Sequence, residues 1–229
     1  MKRQVVVAGL GRFGTAVATT LCQVGHEVLA IDQDEKKVQA IISQVTHGAQ
    51  ADITNEAALK ELGVPNFDVA VVGVGSDLQV SLLVTVLLQR MGVPYVISRA
   101  ENELHGLTLS KIGASKVVYP NREAGERLAH SLALPDVLDY LEVSASFGVS
   151  KITPPPGTVG RTLEDSDLGS RSKLGLTVLM ISRGDNVILN PDRFEKVEQH
   201  DILIVAGKDE QLEKLEEPAE VANRLIATS

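Results

Sequence analysis

The run Gly9-Leu10-Gly11-Arg12-Phe13-Gly14 sets three glycines at the spacing of a phosphate-holding loop. Gly9 permits a tight turn. Gly11 lets backbone approach a phosphate, and Gly14 lets a following helix pack closely on the preceding strand. The free N–H groups at that helix start, together with the helix dipole, hold negative charge. An acid follows at the matching distance, Asp32. Its carboxylate suits both hydroxyls of a ribose and repels a 2′-phosphate, which disfavours NADP. Arg12 lies inside the loop, where dinucleotide enzymes require no base. Its guanidinium can reach a phosphate in its own subunit or in a neighbour.

Further polar residues fall at the ends of apolar runs: Asp52, then Gly75, Ser76 and Asp77, then Arg99. Asp52 reads either as an acceptor for an adenine amino group or as a residue leading into a helix before Thr54 and Glu56. Arg99 reads either as a phosphate fork or as a surface partner of Glu101 or Glu103. His105 has no acid partner evident in sequence and reads more readily as a structural histidine. The five histidines show no metal-ligand spacing. No nucleophile elbow, Walker loop or metalloprotease pattern occurs, so nothing here marks an enzyme.

These residues need elements to hold them. Short β-branched runs predict strands at 4–8, 27–31, 46–50, 69–73, 95–98 and 116–119. Helical spacing predicts helices at 15–24, 35–43, 56–62, 78–91 and 103–112. Gly25, Gly63, Gly92 and Gly113 stand just past four of them, where a left-handed stop is wanted. Six alternating βα units imply an α/β fold, a Rossmann-like doubly wound parallel sheet over residues 1–120. A crossover linker, 121–140, carries a helix at 124–134 and a second short one at 136–140. The pattern then changes to a small α+β domain over 141–219. It holds extended segments at 141–145 and 148–152, a short helix at 162–168, strands at 177–182, 186–189 and 202–206, and a last helix at 210–215. Residues 220–229 form a tail.

Composition narrows the function. Net charge is −8, which leaves no basic face for nucleic acid. Aromatics are 3% and tryptophan is absent, so the core is aliphatic. Cys22 is the single cysteine, which rules out an intrachain disulfide, and it falls on the apolar pattern of the first helix. No apolar run approaches the roughly 20 residues of a membrane helix. No secretory leader is visible, which points to the cytoplasm.

The segments Val-Ala-Gly-Leu-Gly-Arg-Phe-Gly (7–14), Gly-His-Glu-Val-Leu-Ala-Ile-Asp (25–32), Leu-Gly-Val-Pro-Asn-Phe-Asp (62–68) and Lys-Ile-Gly-Ala-Ser-Lys-Val-Val-Tyr-Pro (111–120) resemble the RCK regulatory subunits of Ktr- and Trk-type potassium uptake systems. The loop favours the Ktr type, and the tail domain resembles the RCK C-terminal module. The resemblance implies a cytosolic homo-oligomer, an octameric ring built on dimers of the N-terminal domain. The ring docks at the inner face of the membrane under a potassium channel or transporter subunit, and gates it by exchanging ATP for ADP, or NAD for NADH in some members. Carried over, the glycine loop with Arg12 and Phe13 holds the phosphates. Asp32, Gln33 and Asp34 surround the ribose, Asp52 and Ile53 meet adenine, and Val74, Gly75 and Ser76 line the opposite wall. Arg99, Ala100, Glu101 and His105 complete the phosphate side. Some Ktr-type members carry a glutamate that helps hold a cation (magnesium, calcium, sodium or potassium) between neighbouring γ-phosphates. Asn121 stands at that position, with a carbonyl but no charge. Some C-terminal modules bind cyclic di-AMP. Arg171 and Pro191 fit that pattern, while Gly169 and Ser170 do not.

Two other classes compete. A soluble NAD-dependent oxidoreductase needs a catalytic acid or lysine and a substrate domain, and the tail domain offers neither. A redox-sensing repressor needs a basic DNA-binding helix, which the acidic composition does not supply.

Overall fold

The computed structural model describes residues 2–133, 137–144, 146–155, 157–168 and 175–214. The chain divides into two compact units, Met1–Arg122 and Glu123–Ser229.

The first unit alternates strand and helix: β1 (Gln4–Ala8), α1 (Arg12–Gln23), β2 (Glu27–Asp32), α2 (Glu35–Ile41), β3 (His47–Gln50), α3 (Glu56–Glu61), β4 (Val69–Val72), α4 (Leu78–Arg90), β5 (Tyr95–Arg99), α5 (Glu103–Lys111) and β6 (Lys116–Val118). All six strands are parallel, in the order β3-β2-β1-β4-β5-β6. This is the doubly wound order, with its switch between β1 and β4. Val6 and Ala8 pack with Ile31, Val72 and Leu88 on one face, and Val5 and Val7 pack with Ala18, Val28 and Val38 on the other. Burial on both faces explains the unbroken apolar runs.

Polar residues cap the helices where each strand hands over. Asp34, Asn55, Asp77 and Asn102 accept backbone N–H bonds at the starts of α2, α3, α4 and α5. Such caps fix where each loop ends, and so where its outward side chains stand. Helix α1 differs: its cap position is Gly11, with no side-chain hydrogen bond.

Helix α6 (Pro120–Ala133) leaves the first unit. It starts earlier than expected because proline suits a first helical position. The expected short helix at 136–140 is replaced by strand β7 (Val137–Ser144). Ladder pairing with β8 (Phe147–Ile152) outweighs the local helical reading. The second unit continues with β9 (Thr177–Arg183), β10 (Asn186–Leu189), β11 (Ile202–Lys208) and α7 (Asp209–Lys214). Its sheet is antiparallel, in the order β10-β9-β11-β8-β7. The helix expected at 162–168 is instead a series of turns tied to Lys196 through a bridge at Thr162. Alternate residues of β11 are buried, and Leu203 and Val205 pack with Ile152, Ile181 and Leu163.

Candidate functional site

At the switch between β1 and β4, the strand ends enclose a cavity of about 570 Å³. Its floor is glycine. A Cβ on Gly14 would strike the Gly9 carbonyl, so only glycine lets α1 begin this close to β1. Gly9 has φ +95° and sits against Val74. A Cβ on Gly11 would meet no atom within 4 Å. The uncapped N–H groups of the first α1 turn therefore have open space before them, the condition for an anion at a helix start.

The cavity wall gathers Gly9, Gly11, Asp32, Gln33, Asp52, Ile53, Val74, Gly75, Ser76 and Arg99 from the sequence expectations. Asp32 ends β2 and is 6% exposed. Its Oδ2 accepts from Leu10 N–H at 2.7 Å and its Oδ1 from Asp34 N–H at 2.9 Å. Lys37 Nζ donates to both oxygens as well, at 3.5 Å to Oδ1 and 3.4 Å to Oδ2. A carboxylate offers about four lone-pair sites, all engaged here, so ribose hydroxyls would have to take the places of these two long bonds. Asp52 is exposed, and Thr54 donates to its Oδ1 through both backbone N–H and hydroxyl, at 2.8 and 2.7 Å. Those bonds hold its carboxyl below the usual range. Asn55, not Asp52, caps α3.

Arg99 ends β5. Glu101 accepts from its Nη2 at 2.9 Å, as the ion-pair reading expects. Yet Arg99 also lines the cavity, and its buried Nε has no acceptor among the described residues. Gly75 lies against the guanidinium: a Cβ there would stand 3.0 Å from Nε. An unmet buried donor is costly, and this nitrogen has almost no accessible surface, so a ligand in the cavity meets it only when the guanidinium turns.

Other expected residues stand outside this cavity. Arg12 is exposed at the first position of α1 and makes no ion pair among the described residues. Phe13 packs into the apolar face beneath α1, as does the half-buried Cys22. Asp34 caps α2. Ala100, Glu101 and Asn121 line a second, smaller cavity of about 210 Å³ with Glu103, Tyr119 and Arg122. His105 is 4% exposed, and its Nδ1 accepts from Glu101 N–H at 3.3 Å. Burial pushes its pKa down, against the raising effect of Glu101. The Glu101 N–H bond ties it to the loop after β5, and its buried Nε2 has no partner among the described residues. Arg171 lies outside the described residues, and Pro191 follows β10 in the second unit. Among the described residues, no group of three or more His, Cys, Asp or Glu is placed to hold a metal ion, and no helix is long and apolar enough to cross a membrane.

Lys37 was not signalled by the sequence. It lines the cavity with its ammonium 3.4 Å from Asp32 Oδ2. Its position, in the first turn of α2, carries no motif.

Comparison with known proteins places this geometry. A pattern described as the TrkA-N domain matches residues 5–120, and one described as the TrkA-C domain matches residues 149–219. Ktr system potassium uptake protein C of Bacillus subtilis (strain 168) is 39% identical over 216 residues, which cover 94% of this chain and 97% of that protein. The chain belongs to the Ktr/Trk family of RCK regulatory subunits. Ktr system potassium uptake protein A of the same organism is 33% identical over 214 residues, or 93% of this chain and 96% of that one. Among solved structures, the GsuK RCK domain has the same fold, with a TM-score of 0.65 at 16% identity, over 96% of this chain and 48% of that chain. The GsuK channel bound to NAD gives 0.63 at 16% identity, over 94% and 39%. This RCK subunit thus spans less than half the length of those chains and shares its fold with that part of them.

Proposed function

We propose that this RCK subunit senses a nucleotide, ATP or ADP, with NAD or NADH as the other candidates, and passes the result to a membrane potassium channel or transporter. The carrying observation is the half-filled fork of Arg99, whose side chain lines the cavity that also holds the uncapped α1 start and Asp32. These groups fit a nucleotide: a buried donor and free N–H groups for phosphate, and a carboxylate for ribose. A bound nucleotide supplies the phosphate charge. The chain's own part is to orient that charge between α1 and Arg99, and to hold adenine near Asp52 and Ile53.

In this reading the subunit is cytoplasmic. It forms a homo-oligomeric ring of eight, built on pairs of first units, against the inner face of the membrane. Ligands gate only if they bind two ring shapes with different affinity. The γ-phosphate is the differing group, and the exposed Arg12 is positioned by α1 to sense it, in its own subunit or the next. A cation between neighbouring nucleotides would draw on the Asn121 carbonyl. A cyclic di-AMP site in the second unit would draw on Arg171 and Pro191.

Light scattering on the purified chain, with competitive binding of ATP, ADP and NADH, tests the reading. A ring that binds ATP and ADP is expected. A monomer that binds only NADH overturns it in favour of the oxidoreductase alternative. Arg12→Ala is expected to weaken ATP more than ADP, and equal losses remove Arg12 from the sensing role.

A further inference from the structure

A guanidinium presents Nε–H and Nη2–H side by side, a fork that two oxygens of a phosphate or carboxylate can fill. On Arg99 the fork is half filled. Glu101 Oε2 takes Nη2 at 2.9 Å, and Nε is buried with no acceptor among the described residues. Gly75 presses close to the same edge. The Glu101 side chain is 41% exposed, against 19% for Arg99, so it can leave for solvent. Its backbone is tied by the N–H bond to His105, so the side chain can move while the loop stays.

We propose that Glu101 is a built-in competitor for phosphate, holding Arg99 Nη2 and the buried Nε in place until an incoming phosphate draws the guanidinium into the cavity and takes both teeth. Glu101 thereby sets the affinity for phosphorylated nucleotides and spares ligands without phosphate. This rests on the nucleotide reading above. A partly exposed ion pair is weak, so the competition lowers affinity only by about fivefold. A phosphate that fills both teeth makes two charge-assisted bonds and also satisfies the orphaned Nε, so it wins.

The test is calorimetric titration of the full chain with ATP and with adenosine, at fixed ionic strength. Five proteins are compared: wild type, Glu101→Gln, Glu101→Ala, Arg99→Lys and the double variant of Glu101→Gln with Arg99→Lys. Lysine keeps the charge at 99 but has no fork. Glu101→Gln is expected to tighten ATP about fivefold and to leave adenosine unchanged, with the gain lost in the Arg99→Lys background. Glu101→Ala gives the same sign and guards against a substitution-specific effect. ATP binding that is unchanged or weaker in both Glu101 variants overturns the assignment, as does an equal gain beside Lys at 99. Wild type that binds ATP without these effects sinks the Glu101 role alone. Wild type that binds neither ligand sinks the nucleotide reading and this inference with it.

Discussion

Each unit holds an arginine among acids, and the two are finished differently. On β9, Arg183 fills its fork with Asp201: Nε to Oδ1 at 2.8 Å and Nη2 to Oδ2 at 2.9 Å. Its remaining donors reach Glu195 and Glu198, both at 3.0 Å, and the Lys196 carbonyl at 2.8 Å. Arg99 lines a cavity and leaves its buried Nε without an acceptor among the described residues. A guanidinium whose donors are all spent within the chain has nothing left for a ligand, so its role is to hold β9 to the segment before β11. A guanidinium left half spent beside a cavity still has a donor to offer, which is the role proposed for Arg99.

The sharpest way to break this contrast is to remove each arginine. Arg183→Met strands the Asp201 carboxylate, whose side chain is fully buried at 0% exposure. Breaking such a pair costs about 3–5 kcal/mol. Urea unfolding should show that loss, with hydrogen exchange rising along β9 and β11. Arg99→Met should cost under about 1 kcal/mol of stability, since it removes a partly exposed pair and an unmet donor together. Its loss should appear in ATP affinity, by about tenfold or more, as expected for charge-assisted bonds. Equal destabilisation by the two substitutions would erase the distinction.

A milder perturbation keeps Arg99 and crowds it. Gly75→Ala places a Cβ 3.0 Å from Nε and 3.2 Å from Cζ. Gly75 needs no positive φ, so the backbone tolerates the change and the guanidinium must shift. ATP affinity should fall several-fold, with the thermal midpoint nearly unmoved. An unchanged affinity would mean that the position of the fork is unimportant.

The first unit was largely legible because each of its signals was local. Strands buried on both faces write continuous apolar runs, and Gly9, Gly11 and Gly14 state their roles by spacing alone. The second unit hid more. Residues 136–140 read from sequence as a short helix, and only pairing of β7 with β8 across the hairpin decides for a strand. The turns after Thr162 depend on a distant bridge to Lys196. At the site, Asp32 was readable because its distance from the loop is set by one βαβ unit. Lys37 was not, because only the start of α2 brings it to Asp32. The state of the Arg99 fork was beyond reach, since sequence names the partner Glu101 but not which nitrogen it takes.

The smallest expected effect separates the units by pH. Burial lowers His105, so its folded pKa lies below the ordinary 6.5. Between those two values the unfolded chain binds a proton that the folded chain refuses, so first-unit stability falls as pH drops through about 6.5. A protonated imidazole could not accept the Glu101 N–H at Nδ1, which ties the loss to the loop beside Arg99. For Asp201 burial pushes upward, but the Arg183 bonds and the Glu198 N–H bring its carboxyl below the ordinary 3.8. Its contribution is therefore whole above that value and is lost only as pH falls further, through the folded pKa. Residue-resolved hydrogen exchange at pH 7.5, 5.5 and 3.5 (values chosen about the reference pKa values) should show α5 and the loop after β5 loosening in the first step. β9 and β11 should hold until the second. His105→Gln should abolish the first step and leave the second intact. If both units loosened together near neutrality, Arg183 and Asp201 would not be the closed pair that the geometry describes.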